Sequence, residues 1–183
     1  ALEAGKIDLL SGGTLTANGS TITLTGATVP FNLTGGAFSA GTSTVVFNAN
    51  SAVNPLTAGA ITFNNVTVNP VITADRSQQF TSGSTISFTG DISIVPSAST
   101  TPREFTFNMG GIFSGGSGSD IDVNPSGTAT AVFNTNVSNY AVTMRTITID
   151  ASTTWEANAS TITLMAEHTM QGVLHMYSTE MQM

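Results

Sequence analysis

The chain has 183 residues, enough for one domain with a sizeable core, and is 40% hydrophobic but only 8% charged, with a formal net charge of −7. Its four basic residues, Lys6, Arg76, Arg103 and Arg145, are too few and too scattered to build a phosphate-binding surface, which argues against nucleic acid and against an anionic membrane surface as partners. The lack of cysteine rules out disulfides and thiolate chemistry, and no apolar run approaches the roughly 20 residues of a membrane span, so no membrane insertion is expected.

One short phrase recurs along the chain: a small polar residue, apolar residues alternating with Thr, Ser or Asn, then Gly or Asn-Pro. Strand side chains alternate with a period of two, so each phrase can place its apolar residues on one face and its hydroxyls on the other. Residues 2–10 read as a short helical turn or an entering strand. Strands are then predicted at 20–25 (STITLT), 43–48 (STVVFN), 60–69 (AITFNNVTVN) and 84–89 (STISFT). They continue at 105–108 (FTFN), 130–134 (TAVFN), 146–150 (TITID) and 160–164 (STITL). All six prolines, Pro30, Pro55, Pro70, Pro96, Pro102 and Pro125, fall at phrase ends, where a missing N–H breaks no central ladder. Gly-Gly pairs punctuate the turns, and the Gly-rich stretch 110–119 reads as the most open loop.

The central apolar residues of the phrases are Ile22, Val45, Ile61, Ile86, Phe105, Ile121, Val132, Ile147 and Ile162. Their spacing is irregular but centred near the ~20-residue coil of solenoids. The expected fold is all-β and parallel β-solenoid (β-helix)-like; the alternative is a β-sandwich or jelly roll with strand exchange. A solenoid requires equivalent phrases to stack in parallel, whereas a sandwich requires antiparallel hairpins. After residue 163 the composition shifts, and the last stretch holds both histidines and five of the seven methionines. The expected organisation is therefore a repeat domain at 1–163 and a Met-rich capping or docking segment at 164–183, since the terminal repeats of a solenoid are normally atypical.

The run GGAFSAGTSTVVFN at 35–48, followed by ITFNNVTVN at 61–69, resembles the repeat unit of large bacterial and archaeal surface proteins with tandem Thr/Gly/Asn-rich β-strand repeats. The likeness spans roughly residues 10–90, is weaker over 118–165, and does not extend into the Met-rich tail. It implies a right-handed parallel solenoid and an extracellular stalk, adhesin or assembled fibre.

Chemistry-bearing residues are sparse. Asp120 and Asp122 flank Ile121 on one face of a strand and, with Asp91 or Asp150, are the candidate ligands for Ca²⁺, which takes six to eight oxygens. Two solvated acids beside a Gly-rich loop is the simpler reading. His168 and His175, seven residues apart with Glu167 beside them, read as terminal surface or contact residues. Thr-x-Thr pairs at 14/16, 21/23, 23/25, 146/148 and 161/163 would form a hydroxyl-methyl array of the ice-binding kind if stacked; strand propensity is the plainer reason for them. Asp75-Arg76 and Arg103-Glu104 read as local ion pairs, and sole-lysine Lys6 as solvated. Trp155, Tyr140 and Tyr177 are the aromatics that would stack on sugars. No catalytic motif marks the chain, so it is read as a non-enzyme.

The expected function is a structural subunit of an extracellular filament or cell-surface assembly, a homo-oligomer joined through β-edge and end contacts. The contact residues would be Leu2, Ile7, Leu9 and Leu10 at one end and Met170, Val173, Leu174 and Met176 at the other. The alternative is an adhesin-type module that binds carbohydrate or another surface.

Overall fold

The computed structural model describes residues 1–50, 55–135, 139–157, 159–175 and 181–182, with the backbone alone for 82–84 and 181–182. The chain winds as a parallel β-solenoid, and no helix occurs among the described residues. The first coil is β1 (Leu2–Ala4), β2 (Ile7–Leu10) and β3 (Thr14–Thr16); the second is β4 (Thr21–Leu24), β5 (Phe31–Thr34) and β6 (Ala37–Ser39). The third is β7 (Thr44–Phe47), β8 (Leu56–Ala58) and β9 (Ile61–Phe63). The fourth has β10 (Asn65–Val68) and the long β11 (Arg76–Phe88), and the fifth β12 (Ile92–Ile94) and β13 (Ser97–Gly115). The sixth is β14 (Asp120–Val123), β15 (Ser126–Asn134) and β16 (Val142–Met144); the seventh is β17 (Thr146–Ile149), β18 (Thr153–Glu156) and β19 (Ile162–Leu164). The last is β20 (Thr169–Met170), β21 (Val173–His175) and β22 (Met181–Gln182).

Equivalent strands stack in parallel into three faces. Face A is β1-β4-β7-β10-β12-β14-β17-β20, and face B is β2-β5-β8-β11-β13-β15-β18-β21. Face C is built from β3-β6 and, separately, from β9, the second halves of β11 and β13, then β16, β19 and β22. The antiparallel hairpins of a sandwich are not what pairs these strands; every ladder is parallel. Strands β20, β21 and β22 extend the same three ladders as an eighth rung.

The register explains the irregular spacing of the phrases. Leu2, Ile22, Val45, Val66, Ile92, Ile121 and Ile147 occupy one position on face A, so successive coils take 20, 23, 21, 26, 29 and 26 residues. The sequence anchors mixed faces: Ile61, Ile86 and Ile162 belong to face C, and Phe105 to face B. Val132 points outward between the buried Ala131 and Phe133, a one-residue phase error that the period of two turns into the wrong side.

Inside, the apolar positions of all three faces merge into one core. An aromatic ladder runs along it: Phe31, Phe38 and Phe63 cluster at centroid distances of 5.4–6.0 Å, Phe47 meets Phe80 at 4.7 Å, and Phe80 meets Phe107 at 4.9 Å. It ends with Phe133 against Trp155 at 5.7 Å. Each fully buried ring contributes about 1.5–3 kcal/mol relative to exposure, so this ladder adds substantially to the cohesion between coils.

The corners are equally regular. Pro30, Pro55, Pro70, Pro96 and Pro125 are buried at the turn from face A to face B, and the carbonyls of the first four accept ladder bonds there, as in Phe31 N–H to Pro55 O (3.1 Å). Their fixed φ sets the bend without a wasted donor. Pro102 differs: it lies within β13, at an irregularity of register between Ala98 and Arg103. The turns into β4 and β7, from face C to face A, and the turn into β19, from face B to face C, repeat a short motif whose exit serine is buried at Ser43 and Ser160 and exposed at Ser20. The Ser20, Ser43 and Ser160 N–H groups bond the Ala17, Ala40 and Ala157 carbonyls at 2.9–3.1 Å.

The Gly-rich 110–119 stretch is not an open loop: its first six residues are the end of β13, and only 116–119 turn. Gly110 allows this because a Cβ there would sit 2.2 Å from the Phe80 carbonyl oxygen, so only glycine lets the coils keep ladder spacing around that corner.

Candidate functional site

The two ends of the stack carry the features that the sequence assigned to contact. Among the described residues, β1 pairs only with β4, β2 only with β5 and β3 only with β6; at the other end β20 pairs only with β17, β21 with β18 and β22 with β19. Each terminal strand therefore presents one row of backbone N–H and C=O groups without a ladder partner, the arrangement that templates further strands. Leu2 and Leu10 are 44% and 63% exposed, Ile7 is half-buried, and Leu9 is packed into the core. At the far end Val173 is 52% exposed, and Met170 and Leu174 lie half-buried against the core; Met176 and Tyr177 lie outside the described residues. Ala4 and Leu15, which the sequence reading did not single out, complete the apolar floor of the first coil.

Polar contacts on the outer faces are ladders of short side chains. On face B, Asn108 donates to Ser77 Oγ (2.7 Å) and Asn134 donates to Asn108 Oδ1 (2.8 Å). On face A, the Asp91 backbone N–H donates to Asn65 Oδ1 (2.9 Å) and that of Asp120 to Asp91 Oδ1 (3.0 Å). The face B row uses only hydroxyl and amide groups, whereas the face A row adds the Asp91 carboxylate as an acceptor.

Asp120 is engaged by cations and hydroxyls of its own chain. Arg145 donates from Nε to its Oδ1 (2.8 Å) and from Nη2 to its Oδ2, and Thr146 Oγ1 donates to Oδ1 (2.8 Å). The Arg145 guanidinium holds the Asp120 carboxyl below the usual carboxylate range, against a smaller opposing push from burial. Asp122, one rung from Thr148, is pushed up by burial and by the nearby Asp150 charge. Among the described residues no group of three or more His, Asp or Glu side chains stands close enough to hold a metal ion.

Other sequence readings change once placed. Trp155 is fully buried against Phe133 and offers no platform to a sugar; Tyr140 packs against the core. Its inward position follows from the alternation of β18, in which Thr153 and Trp155 face the core. Arg76 donates to Asn50 Oδ1 (3.3 Å) rather than pairing with Asp75, whose carboxylate instead accepts the Glu104 backbone N–H (3.1 Å). Successive residues of a strand point to opposite faces, which keeps Asp75-Arg76 and Arg103-Glu104 from closing as pairs. His168 and His175 belong to different parts of the last coil, and His175 Nδ1 lies 2.7 Å from Glu156 Oε1, its ladder neighbour. Lys6 pairs with Asp8 (2.9 Å), which also accepts from Asn32 Nδ2 (3.0 Å); the ammonium and then the amide hold the Asp8 carboxyl low.

The Thr-x-Thr array does not form. On face A, Thr21 and Thr23 are followed in the next rungs by Thr44 and Val46, then Asn65 and Thr67, and the acids 120 and 122 intervene before Thr146 and Thr148. Face C carries a cleft of about 370 Å³ where the ladder breaks between β6 and β9, lined by residues such as Leu33, Phe38, Ile61, Thr62, Thr85 and Ser87. No titratable side chain lines it. No helix among the described residues is long and apolar enough to cross a membrane. Comparison with protein-family models, curated proteins and solved structures yields no match.

Proposed function

We propose that this chain is a structural subunit of an extracellular filament or cell-surface assembly, and that it grows by stacking coil upon coil through its two open ends. The observation that carries this reading is the pair of terminal rungs, each with a ladder partner on one side only and exposed apolar residues beside it. A low charge density leaves little repulsion between copies. The two ends differ from one another, so the contact is head-to-tail; contacts of that kind propagate as open filaments unless a rotation closes them. The reading assigns the chain no catalytic residue and no resident cofactor.

The test is electron microscopy and light scattering of the purified protein, beside a Leu2→Asp variant. An inward-pointing charge on an edge strand blocks strand addition. The wild-type chain should form fibres that lengthen with concentration, and the variant should remain a folded monomer with an unchanged circular dichroism spectrum. A wild-type chain that stays monomeric at high concentration would sink the proposal, as would Leu2→Asp fibres of normal length.

A further inference from the structure

The continuous columns of face A define how one copy would seat on the next. One inward column runs Ala4, Leu24, Phe47, Val68, Ile94, Val123, Ile149, Met170. The outward column beside it runs Glu3, Thr23, Val46, Thr67, Ser93, Asp122, Thr148, Thr169. Every step keeps the same phase, although the coils differ in length, because the corners take up the difference. The ladder, not the loop length, sets which residue stands over which.

We infer that a second copy of this chain occupies the β20 edge through its β1 strand, with Ala4 over Met170, Glu3 over Thr169 and Leu2 over His168. This rests on the end-to-end stacking proposed above and adds its register. Three features of the two edges favour a second copy. Among the described residues β20 has β17 as its one parallel neighbour, and β1 offers its free edge a parallel strand with apolar Leu2 and Ala4 at alternate positions. Met170, a long and adaptable side chain, would meet the smallest residue of its column, so the join is not overfilled. Glu3 would meet the uncharged Thr169, so no like charges face each other at the seam. A one-residue slip would turn Leu2 and Ala4 outward and bring Glu3 into the core, which disfavours the neighbouring registers. Carried back one residue from β20, the same register sets the half-buried His168 where the column has Leu, Ile and Val, which weakens the join without forbidding it.

The absence of native cysteine makes the register directly readable. Glu3→Cys is mixed with Thr169→Cys under mild oxidation, and, separately, with Gln171→Cys, two residues further along the same strand direction. Parallel neighbours about 4.8 Å apart lie within disulfide reach, whereas a two-residue offset does not. The inferred register gives a 3–169 linked dimer in excess of the 3–171 product, with light scattering confirming that each variant still assembles. His168→Leu should lower the concentration needed for assembly about tenfold, equivalent to ~1.4 kcal/mol per contact. Fibres that link 3 to 171, or neither position, overturn the register and leave stacking intact. Absence of any assembly overturns both.

Discussion

Truncating Phe107 tests whether the aromatic ladder holds the coils together. Its ring is fully buried, 4.9 Å from Phe80 and 6.2 Å from both Phe113 and Phe133. Phe107→Ala removes a buried ring that its neighbours cannot replace by collapse, since each is pinned in a backbone ladder, and should cost about 3–5 kcal/mol. That is a large share of a total stability of about 5–15 kcal/mol. At roughly 2–4 °C per kcal/mol for a chain of this size, the melting midpoint should fall by about 6–20 °C. Phe107→Leu keeps most of the volume and should lose mainly the ring–ring preference, about 0.5–1.5 kcal/mol per pair. Urea unfolding is followed by circular dichroism, which reports all coils, and by the fluorescence of Trp155, two rungs along the same column. Contacts in a solenoid reach only adjacent repeats, so in Phe107→Ala the two probes should no longer coincide. A destabilisation below about 1 kcal/mol would refute the packing argument, because no fully buried Phe in a cohesive core is lost that cheaply.

Other tests probe corners and charges. Gly110→Ala should destabilise by about 1–3 kcal/mol through overpacking, since its Cβ would press on the Phe80 carbonyl, while Gly116→Ala, which meets nothing within 4 Å, should be near neutral in the same melt. Asp120 has a folded-state pKa held below its unfolded value, so its stabilisation is present above the unfolded value of about 3.9 and fades as pH falls through the lower folded value. Asp120→Asn should therefore be destabilising at pH 7 and much less so near pH 2 in urea titrations. Asp122 has the opposite sign: its raised pKa penalises the fold at neutral pH. Asp122→Asn should stabilise at pH 7, and the difference should vanish below the unfolded value of about 3.9. Trp155 emission should be blue-shifted and resist acrylamide quenching in the native protein; ready quenching would contradict its burial.

Alternation inside each phrase was enough to read an all-β chain with Ile and Val inward and hydroxyls outward; the parallel stack was suggested only by the ~20-residue spacing and the likeness to surface-protein repeats, with an antiparallel sandwich left as the alternative. What the alternation does not carry is which face a phrase belongs to. Ile61 and Val66 lie five residues apart yet sit on faces C and A, because Asn64 alone makes the corner between them. Ile22 and Val45 share a face although they lie 23 residues apart. The corner signal was present as Ala-x-x-Ser-Thr at 17–21, 40–44 and 157–161, but it reads as ordinary polar composition until the turn bonds are seen. Gly110-Gly111 misled for a related reason: glycine marks close approach of backbones as readily as a loop. That Leu2, Leu10 and Val173 would be exposed apolar residues of the terminal coils was legible from position and hydrophobicity. The pairings of Asp120 with Arg145 and of Glu156 with His175 were not, since each joins residues 25 and 19 apart through a ladder register that spacing does not reveal.

The prolines buried at one edge of the stack have a consequence for how this scaffold tolerates change. Because each coil advances by one inter-strand step of about 4.8 Å whatever its residue count, added residues at that edge would widen the object without lengthening it. Peptides grafted before Pro30, Pro55 or Pro96 would be displayed along a ruler graduated in single strand spacings. Its scale is set by backbone hydrogen bonding and is indifferent to the cargo.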